Sequence, residues 1–435
     1  MSFRGALTPP APRAEGGQGP LADRILRRNL LALGADLGLF LVGLSFASQA
    51  TILPAFAVHL GAPNVVIGAI PAVMTVGWFL PSLFAAGYTE ALPRKLPFVL
   101  RCTVWERLPF LFLALAAFFL AEPAPAFTLG LLLTMLLVIT GVGGALMPAW
   151  MDIVGRAIPT TLRGRFFAVA SILGSAGGFA GSFATTHVLS VFPAPASYGL
   201  CFLIAAFFMG CSYAALACAR EAVAAPRPPA VPLKAYLTRI PGLLRRNRNL
   251  AWFLIARAFS VLGVMGSGFY TVYALQAHGA PTSQVGVFTA ILLAGQTVGN
   301  LVFGWIADRA GHRLVLMAGV AAATVANLVA MAAPSAEVFG AVFGFAGVYV
   351  AAIHVSGLAV LLEFAPAEDE QPTYVGLGNT SLGPIMCAAP LAAGLMVDAL
   401  GFELVFAAAA AFGATALGLL IGRVRDPRHV RALAA

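Results

Sequence analysis

The stretch GWIADRAGHR, residues 304–313, ends a long apolar run with an acidic residue, a tight turn and basic residues. The stretch AAGYTEALPRK, residues 85–95, ends another apolar run in the same manner. The two stretches align at an offset of 218, which places Glu90 opposite Asp308. A fixed offset between matching parts indicates that the chain is built from two related halves.

The composition is that of a membrane protein. The 435 residues are 60% hydrophobic and 10% charged, with a mean hydropathy of +0.91, whereas soluble domains carry about 25% charged residues. A transmembrane helix needs about 20 mainly apolar residues, and continuous runs rich in Ala, Leu and Phe do not show the alternation of membrane strands. We predict twelve helical spans, at residues 31–57, 65–88, 97–120, 126–151, 166–190, 198–219, 250–275, 284–307, 314–334, 337–363, 374–397 and 402–422.

The basic residues predict the orientation, because short cytoplasmic loops retain Lys and Arg. If the N-terminus is cytoplasmic, 23 of the 26 Lys and Arg lie in cytoplasmic segments and none lies in an external loop. We therefore predict a multi-pass protein of the cell inner membrane with both termini cytoplasmic. The net charge of +9 suits an anionic inner leaflet and requires no nucleic acid.

The polar segments divide the chain into two helical bundles. The longest internal polar stretch separates six spans from six, and it is predicted to be a cytoplasmic linker. The predicted parts are a cytoplasmic tail at 1–29, an N-terminal bundle at 30–219, the linker at 220–249, a C-terminal bundle at 250–422 and a second tail at 423–435.

The stretch that contains Gly304, Asp308, Arg309, Gly311 and Arg313 resembles the loop signature of the major facilitator superfamily. That signature reads Gly, three residues, Asp-Arg, one residue, Gly-Arg-Arg/Lys. With twelve spans and a central linker, the resemblance covers nearly the whole chain. It implies an all-α integral membrane fold, with twelve transmembrane helices in two pseudo-symmetric six-helix bundles that rock about a central cavity. It also implies that helices 1, 4, 7 and 10 line the cavity, while helices 2, 5, 8 and 11 form the interface between the halves.

The repeated motif is predicted to form a cytoplasmic gate. Asp308 can accept hydrogen bonds from the positive N-terminus of a helix in the other bundle, and Arg309 and Arg313 can anchor at the lipid interface or pair with acids. Glu90 and Arg94 belong to the degenerate first copy of this motif. The alternative is that these charges only mark a cytoplasmic turn.

A second gate element is predicted from two loops of opposite charge. The loop after the fourth span, GRAIPTTLRGR, is basic, and the loop after the tenth, EFAPAEDEQP, is acidic; Asp152 and Glu363 occupy matching positions next to them. The loops could also be two solvated segments that merely differ. The gate prediction is that the basic residues of the first loop approach the acidic residues of the second when the cytoplasmic side is shut. The basic residues are Arg156, Arg163 and Arg165, and the acidic residues are Glu363, Glu368, Asp369 and Glu370.

Ionisable side chains inside a span are costly and mark candidate functional sites. Asp36 in the first span and Arg257 in the seventh are predicted to face the cavity, where they either pair across the closed cytoplasmic gate or contact a charged substrate. The alternative is that each extends towards water or pairs inside its own bundle.

Glu106 and Arg107 lie next to each other at the start of the third span. Adjacent residues point about 100° apart on a helix, so we expect no ideal pair between them. Because the resemblance implies a supporting role for this helix, we predict that Arg107 or Arg101 pairs with Asp36, and that Glu106 bonds to a polar group of its own bundle. The functional alternative is a proton or substrate relay through Glu106.

His354 and Gln49 are further candidates for coupling and substrate contact. His354 lies in the middle of the tenth span, and its ordinary pKa near neutrality would suit proton coupling; it could equally be a hydrogen-bonded structural residue. Gln49 lies in the first span and is the favoured substrate contact among the amide side chains.

These features predict a secondary transporter that moves a small organic solute by alternating access and is coupled to protons. Efflux of an amphipathic compound is the direction and solute class considered. No nucleotide-binding loop, catalytic motif or metal-ligand cluster is found in the sequence, so we expect no cofactor, no metal and no enzyme activity. The expected partners are the lipid bilayer, protons and the solute, and the protein is expected to be a monomer. The alternative is a non-transporting protein of the same fold that serves as a membrane scaffold, assembly factor or sensor.

Overall fold

The computed structural model of the chain describes residues 20–90, 92–221, 242–365 and 371–428. All regular elements in these ranges are helices. Eleven of them, counting joined segments as one, are long and apolar enough to cross a membrane. The first helix carries arginines and Asp36 and is not among the eleven, but it packs lengthwise against the fifth and sixth helices and completes a set of twelve.

The N-terminal half contains six spanning units, two of which are interrupted. They are α1a (Pro20–Ser45) with α1b (Ile52–His59), α2 (Asn64–Glu90), α3 in three pieces (Leu96–Cys102, Val104–Arg107 and Pro109–Phe119), α4 (Pro125–Ala157), α5 (Thr160–Val191) and α6 (Ala196–Ala217).

The C-terminal half repeats this order. Its units are α7a (Arg248–Leu262) with α7b (Tyr270–Gln276), α8 (Gln284–Ala310), α9 (His312–Ala332), α10 in two pieces (Phe339–Ser356 and Ala359–Phe364), α11 (Gln371–Leu400) and α12 (Phe402–Gly422).

Helices α1 and α7 are broken at matching places, which the predicted continuous spans did not anticipate. The helical segments after the breaks begin at Ile52 and Tyr270, which are related by the same offset of 218 as Glu90 and Asp308. The second break contains Gly263 and Gly266, and glycine is a poor helix former. Both breaks leave backbone groups that need partners outside their own helix.

Helices pack mainly within their own half. In the first half, α2 packs against α4 and α1a packs against α5 and α6; in the second, α10 packs against α8 and α9, and α12 packs against α7a and α9. The α2–α4 contact is so close that a Cβ on Gly144 would lie 2.6 Å from the carbonyl oxygen of Gly77. Small residues allow this approach in membrane helices.

The two halves meet through α2 against α11 and α5 against α8. We call the end of the bundles that carries Lys95, Arg156, Arg313 and Arg428 the basic end, and the end that carries the turns at Gly61, Gly279 and Gly401 the opposite end. Helix α2 begins at the opposite end and α11 finishes there, so their tight contact between Gly394 and the backbone of Asn64 lies at that end.

Candidate functional site: an interior pathway with two gates

The opposite end is closed by a carboxylate that bridges the halves. Asp398, near the end of α11, accepts hydrogen bonds from the backbone nitrogen of Asn64 (3.2 Å), the Asn64 side chain (2.9 Å) and the backbone nitrogen of Val65 (3.1 Å). These donors belong to the first turn of α2, where backbone N–H groups have no helical partner and where a negative charge is favourable. The contact is therefore a helix cap supplied by the other bundle.

A second set of contacts joins the halves at the helix breaks. The hydroxyls of Thr51 and Thr289 are 2.7 Å apart, and the Thr271 hydroxyl donates to the carbonyl of Ala50 at 2.8 Å. Thr51, Thr271 and Thr289 are almost completely buried. The Ala50 carbonyl, freed by the break in α1, is thus satisfied by a residue of α7b.

At the basic end, the N-terminal half forms a cluster of its own. Asp152 accepts from Lys95 Nζ (2.5 Å) and Arg156 Nη2 (2.6 Å). Glu221 accepts from the backbone nitrogens of Lys95 (2.9 and 2.8 Å) and Leu96 (2.7 Å), so it caps the first turn of α3. All five residues belong to the first half or to the start of the linker.

The C-terminal half forms a matching cluster. Glu363 pairs with Arg428 at 2.6 Å, and His312 Nε2 lies 3.8 Å from the same carboxylate oxygen. Arg313 donates to the last carbonyls of α12, at Leu420 (2.7 and 3.0 Å) and Ile421 (3.0 Å), and a cation is favourable at that helix end.

The turn between α8 and α9 requires a glycine. Gly311 has a φ of 90°, a region that other residues rarely adopt, and a Cβ there would lie 2.7 Å from a carboxylate oxygen of Asp426. Asp308 is exposed, while the guanidinium of Arg309 stacks over the ring of Trp305 at 4.0 Å.

Among the described residues, the basic side chains predicted for the cytoplasmic gate bond within their own half. Arg156 pairs with Asp152 of its own helix, and Arg163 donates to the carbonyls of Ile158 and Gly155. Residues 368–370 and the side chain of Glu90 lie outside the described part, and Arg94 is exposed. The gate predictions therefore remain predictions about another state.

In the interior of the first half, Asp36 lies in a buried network. Its Oδ1 accepts from Arg107 Nη2 (2.8 Å) and the Ser212 hydroxyl (2.6 Å), and its Oδ2 accepts from the Trp150 indole nitrogen (3.0 Å). The four residues come from α1a, α3, α4 and α6. The predicted pairing of Arg107 with Asp36 is thus present, and the carboxylate does not project into a cavity as a free substrate contact, because three donors already occupy it.

One expectation about this network was wrong. Glu106 and Arg107 do contact each other: Arg107 Nη1 lies 3.2 Å from Glu106 Oε2, which also accepts from the Thr103 hydroxyl at 2.8 Å. The reason is that α3 is interrupted at Thr103 and Leu108, so ideal helix geometry does not hold across the pair. Arg101 is exposed and takes no part in the Asp36 network.

In the interior of the second half, Arg257 lies on α7a one turn before Ser260, and residues three apart share a helix face. The Ser260 hydroxyl lies 3.5 Å from the hydroxyl of Tyr349 on α10, so this face of α7a is turned towards α10. The Nη1 atom of Arg257 is buried and has no hydrogen-bond partner. No ion pair of Arg257 occurs among the described residues.

His354 and Gln49 are both exposed within the height of the helices. Nδ1 of His354 lies 3.2 Å from the amide nitrogen of Gln296 on α8, so the ring is held by a neighbour in its own half. Gln49 lies in the break of α1, next to the carbonyl of Ala50 that joins the halves.

The comparisons with known proteins agree with this architecture. The sequence model described as Major Facilitator Superfamily matches residues 253–435. Over the whole fold, a mutant of the nucleoside transporter NupG superposes with a TM-score of 0.71 at 14% identity, covering 91% of this chain and 100% of that one. The chain thus has the fold of this transporter, and residues 253–435 match the superfamily's sequence model.

Two further solved structures share the fold, and one curated protein is similar over part of the sequence. A POT family transporter in complex with 5-aminolevulinic acid gives a TM-score of 0.67 at 13% identity, covering 92% of this chain and 96% of that one. The fucose:proton symporter of E. coli gives 0.59 at 16% identity, covering 92% and 100%. A chloramphenicol resistance protein of Pseudomonas aeruginosa is 27% identical over 173 residues, which span 37% of this chain and 41% of that protein.

Several residues of the interior and of the closed end were not found from the sequence. Trp150, Ser212, Tyr349 and Asp398 are ordinary residues for a span or its end, and their partners come from segments far along the chain. Among these four, Asp398 could have been noticed from the sequence, because it lies at the end of the predicted eleventh span, at the same end of the bundles as the predicted start of the second span.

The Asp398 cap provides a testable gate. We expect Asp398→Ala to weaken closure of the opposite end by about 1–2 kcal/mol, since three hydrogen bonds to an exposed carboxylate are lost. Spin labels at E122C and E337C, on exposed loops of the two halves, would report a larger population of long distances. Asp398→Asn, which keeps an acceptor, serves as the matched variant; an unchanged distance distribution in Asp398→Ala would show that the cap does not hold the gate.

Proposed function

We propose that the protein is a secondary active transporter that moves a small organic solute by alternating access. The observation that carries this proposal is the asymmetry of its two ends. The halves are bonded together at the opposite end through Asp398, Thr51 and Thr271, whereas the described ion pairs of the basic end, such as Lys95 with Asp152 and Arg428 with Glu363, each lie within one half. A carrier needs two such gates that open in turn.

We further propose that the basic end faces the cytoplasm in a bacterial inner membrane, so that this conformation is open inward. The support is the distribution of basic residues, which favours retention on the cytoplasmic side. The two six-helix halves, 30–219 and 250–422, would then move as units joined by the linker 220–249. We propose a monomer, because each half buries its charges without a second chain.

The proposed solute is small and amphipathic, and export is the proposed direction. The partial similarity to a chloramphenicol resistance protein supports this proposal. Coupling to protons is proposed because superfamily members of the same fold include a D-xylose-proton symporter and a fucose:proton symporter. The interior polar groups Arg257, His354 and Gln296 are of little use to a scaffold and favour a solute pathway.

The deciding experiment is solute flux in proteoliposomes. Purified protein is reconstituted, and uptake of a panel of sugars, nucleosides, amphipathic drugs and organic acids is followed with a pH gradient of either sign. Gradient-dependent uptake of at least one solute would support the proposal. Proteoliposomes with folded protein and no flux for any class would favour the scaffold or sensor function instead.

His354 offers a separate test of coupling. We expect His354→Gln to retain downhill flux but to lose accumulation driven by a pH gradient, because glutamine can still bond to Gln296 but cannot carry a proton. The measurement is the ratio of internal to external solute at steady state. If the accumulation ratio is unchanged, His354 is a structural residue, and the coupling site must lie elsewhere, with the Asp36 network as the next candidate.

A further inference from the structure

Among the residues that the structure describes, Arg257 in the interior of the second half has no ion pair. Its Nη1 atom is buried without a hydrogen-bond partner, and the residue as a whole is half-buried. The hydroxyls of Ser260, one turn along α7a, and of Tyr349 on α10 lie 3.5 Å apart beside it. A guanidinium in a membrane span is normally paired or hydrated, so an anion bound next to Arg257 would be stabilised there.

Four acids of the described chain, Asp36, Asp152, Glu363 and Asp398, are already engaged elsewhere. Both oxygens of Asp36 are taken by donors from its own bundle. Asp152 and Glu363 pair with cations at the basic end, and Asp398 caps α2 at the opposite end. A cross-gate pair between Arg257 and Asp36 would have to break three hydrogen bonds of 2.6–3.0 Å. The missing counter-ion is therefore better supplied by a ligand.

We propose that Arg257, Tyr349 and Ser260 form an anion subsite that takes a carboxylate or phosphate group of the transported solute. The inference rests on the proposed function and narrows it to a solute with one anionic end. A guanidinium can donate two parallel hydrogen bonds to a carboxylate or phosphate, and the Tyr349 hydroxyl can donate to the same group from α10.

The position of the subsite also explains how binding could sense conformation. Arg257 lies five residues before the end of α7a at Leu262, and Thr271, which makes an inter-bundle contact, lies beyond the break in α7b. Tyr349 lies five residues before His354 on α10. An anion held between α7a and α10 thus touches the broken helix of one gate and lies about 7 Å along the helix from the proposed coupling residue.

The test measures anion-dependent thermal stability in a neutral detergent. Sodium phosphate, sodium benzoate and sodium chloride are compared at equal ionic strength, and benzamide serves as the uncharged partner of benzoate. A ligand that binds only the folded state raises the melting temperature. The wild type, Arg257→Gln, Arg257→Lys and Tyr349→Phe are compared with Arg309→Gln, which removes an exposed arginine at the basic end.

We expect phosphate or benzoate to raise the melting temperature of the wild type and of Arg309→Gln by a few degrees over chloride, with no rise for benzamide. The rise in melting temperature should vanish in Arg257→Gln. It should be smaller in Arg257→Lys, because lysine keeps the positive charge but lacks the planar guanidinium that donates two parallel hydrogen bonds. An equal rise in Arg257→Gln would overturn the subsite, as would a wild type that responds to neither anion. If the Arg257 variants melt far below the wild type without added salt, the comparison rests on Tyr349→Phe, in which the anion-induced rise in melting temperature should be smaller than in the wild type.

Flux measurements separate this inference from the proposed function. Repeating them in vesicles of phosphatidylcholine alone excludes an anionic lipid headgroup as the source of the anion. Flux of neutral or cationic solutes that is unchanged in Arg257→Gln would refute the subsite and leave the transporter intact. Anion binding at Arg257 with no flux of any solute would refute the transporter and leave the subsite intact.

Discussion

Arg107→Gln is expected to lower the stability of the folded protein by about 3–5 kcal/mol, the range found when one partner of a buried ion pair is removed. Arg107 donates to Asp36 at 2.8 Å and to Glu106 at 3.2 Å, and all three residues are buried. Without the guanidinium, two carboxylates would face each other in the interior of the first half. The measurement is the melting temperature in detergent together with the yield of monodisperse protein.

Glu106→Gln provides the matched control, because it changes the same network in the opposite electrostatic sense. Asp36, Glu106 and Arg107 sum to −1 if all are ionised, so removing the Glu106 charge leaves a neutral pair. Thr103 and Arg107 can still donate to the amide oxygen of glutamine. We therefore expect Glu106→Gln to be close to neutral in stability.

Arg101→Gln is a second control, since Arg101 is an exposed arginine on the same spanning unit. Its loss should change the melting temperature little, as substitutions of exposed residues usually do. If Arg101→Gln and Arg107→Gln were equally destabilised, or if Glu106→Gln were the most destabilised of the three, the ion network would not be what holds α1a, α3, α4 and α6 together.

The sequence predicts the architecture well because membrane spans are set by local composition. Apolar length defines the helices, and the offset of 218 between the stretches around Glu90 and Asp308 reveals the two halves. The pairing of Arg107 with Asp36 could also be predicted, because an intramembrane charge has few possible partners. Such inferences need only the residue type and the helix on which it lies.

The breaks and the gates could not be predicted because they depend on distant contacts. The break in α1 contains no glycine or proline, and its freed carbonyl at Ala50 is satisfied by Thr271, 221 residues away. Likewise, Asp398 lies at the height of the predicted start of the second span, but its residue type does not specify which backbone nitrogens it accepts from. The predicted approach of Arg156, Arg163 and Arg165 to Glu363 and residues 368–370 remains a prediction about the closed cytoplasmic side. A gate residue has different partners in each conformation, and a sequence does not specify which conformation is occupied.

Gly68→Ala is expected to have the largest effect on transport. Helix α2 crosses α11 so closely that a Cβ on Gly68 would overlap the carbonyl oxygen of Pro390. That contact is between backbones of different halves at the closed end, so neither side can yield by rotating a side chain. Overpacking typically costs about 1–3 kcal/mol, and each 1.4 kcal/mol changes a population about tenfold. The closed state of the opposite end should fall at least several-fold, with a corresponding loss of flux.

Gly68→Ala is not expected to unfold the protein. Alanine is a better helix former than glycine by about 1 kcal/mol, so the isolated helix gains while the contact with α11 is lost. Gly394→Ala should reproduce the effect from the other side, because its Cβ would lie 2.6 Å from the carbonyl oxygen of Asn64. Gly130→Ala and Gly210→Ala, whose Cβ atoms would meet nothing within 4 Å, should leave flux unchanged.

Accessibility of Thr51 distinguishes a blocked gate from a damaged protein. Thr51 is fully buried where the halves meet, so a T51C variant should react slowly with an impermeant maleimide added from the opposite end. Adding Gly68→Ala should speed that reaction, since the gate then spends more time open, and the native cysteines measured without T51C give the background. Loss of flux with slow labelling at T51C would mean that Gly68→Ala acts by some route other than holding the opposite end open. Fast labelling with normal flux would mean that closure at this end does not limit transport.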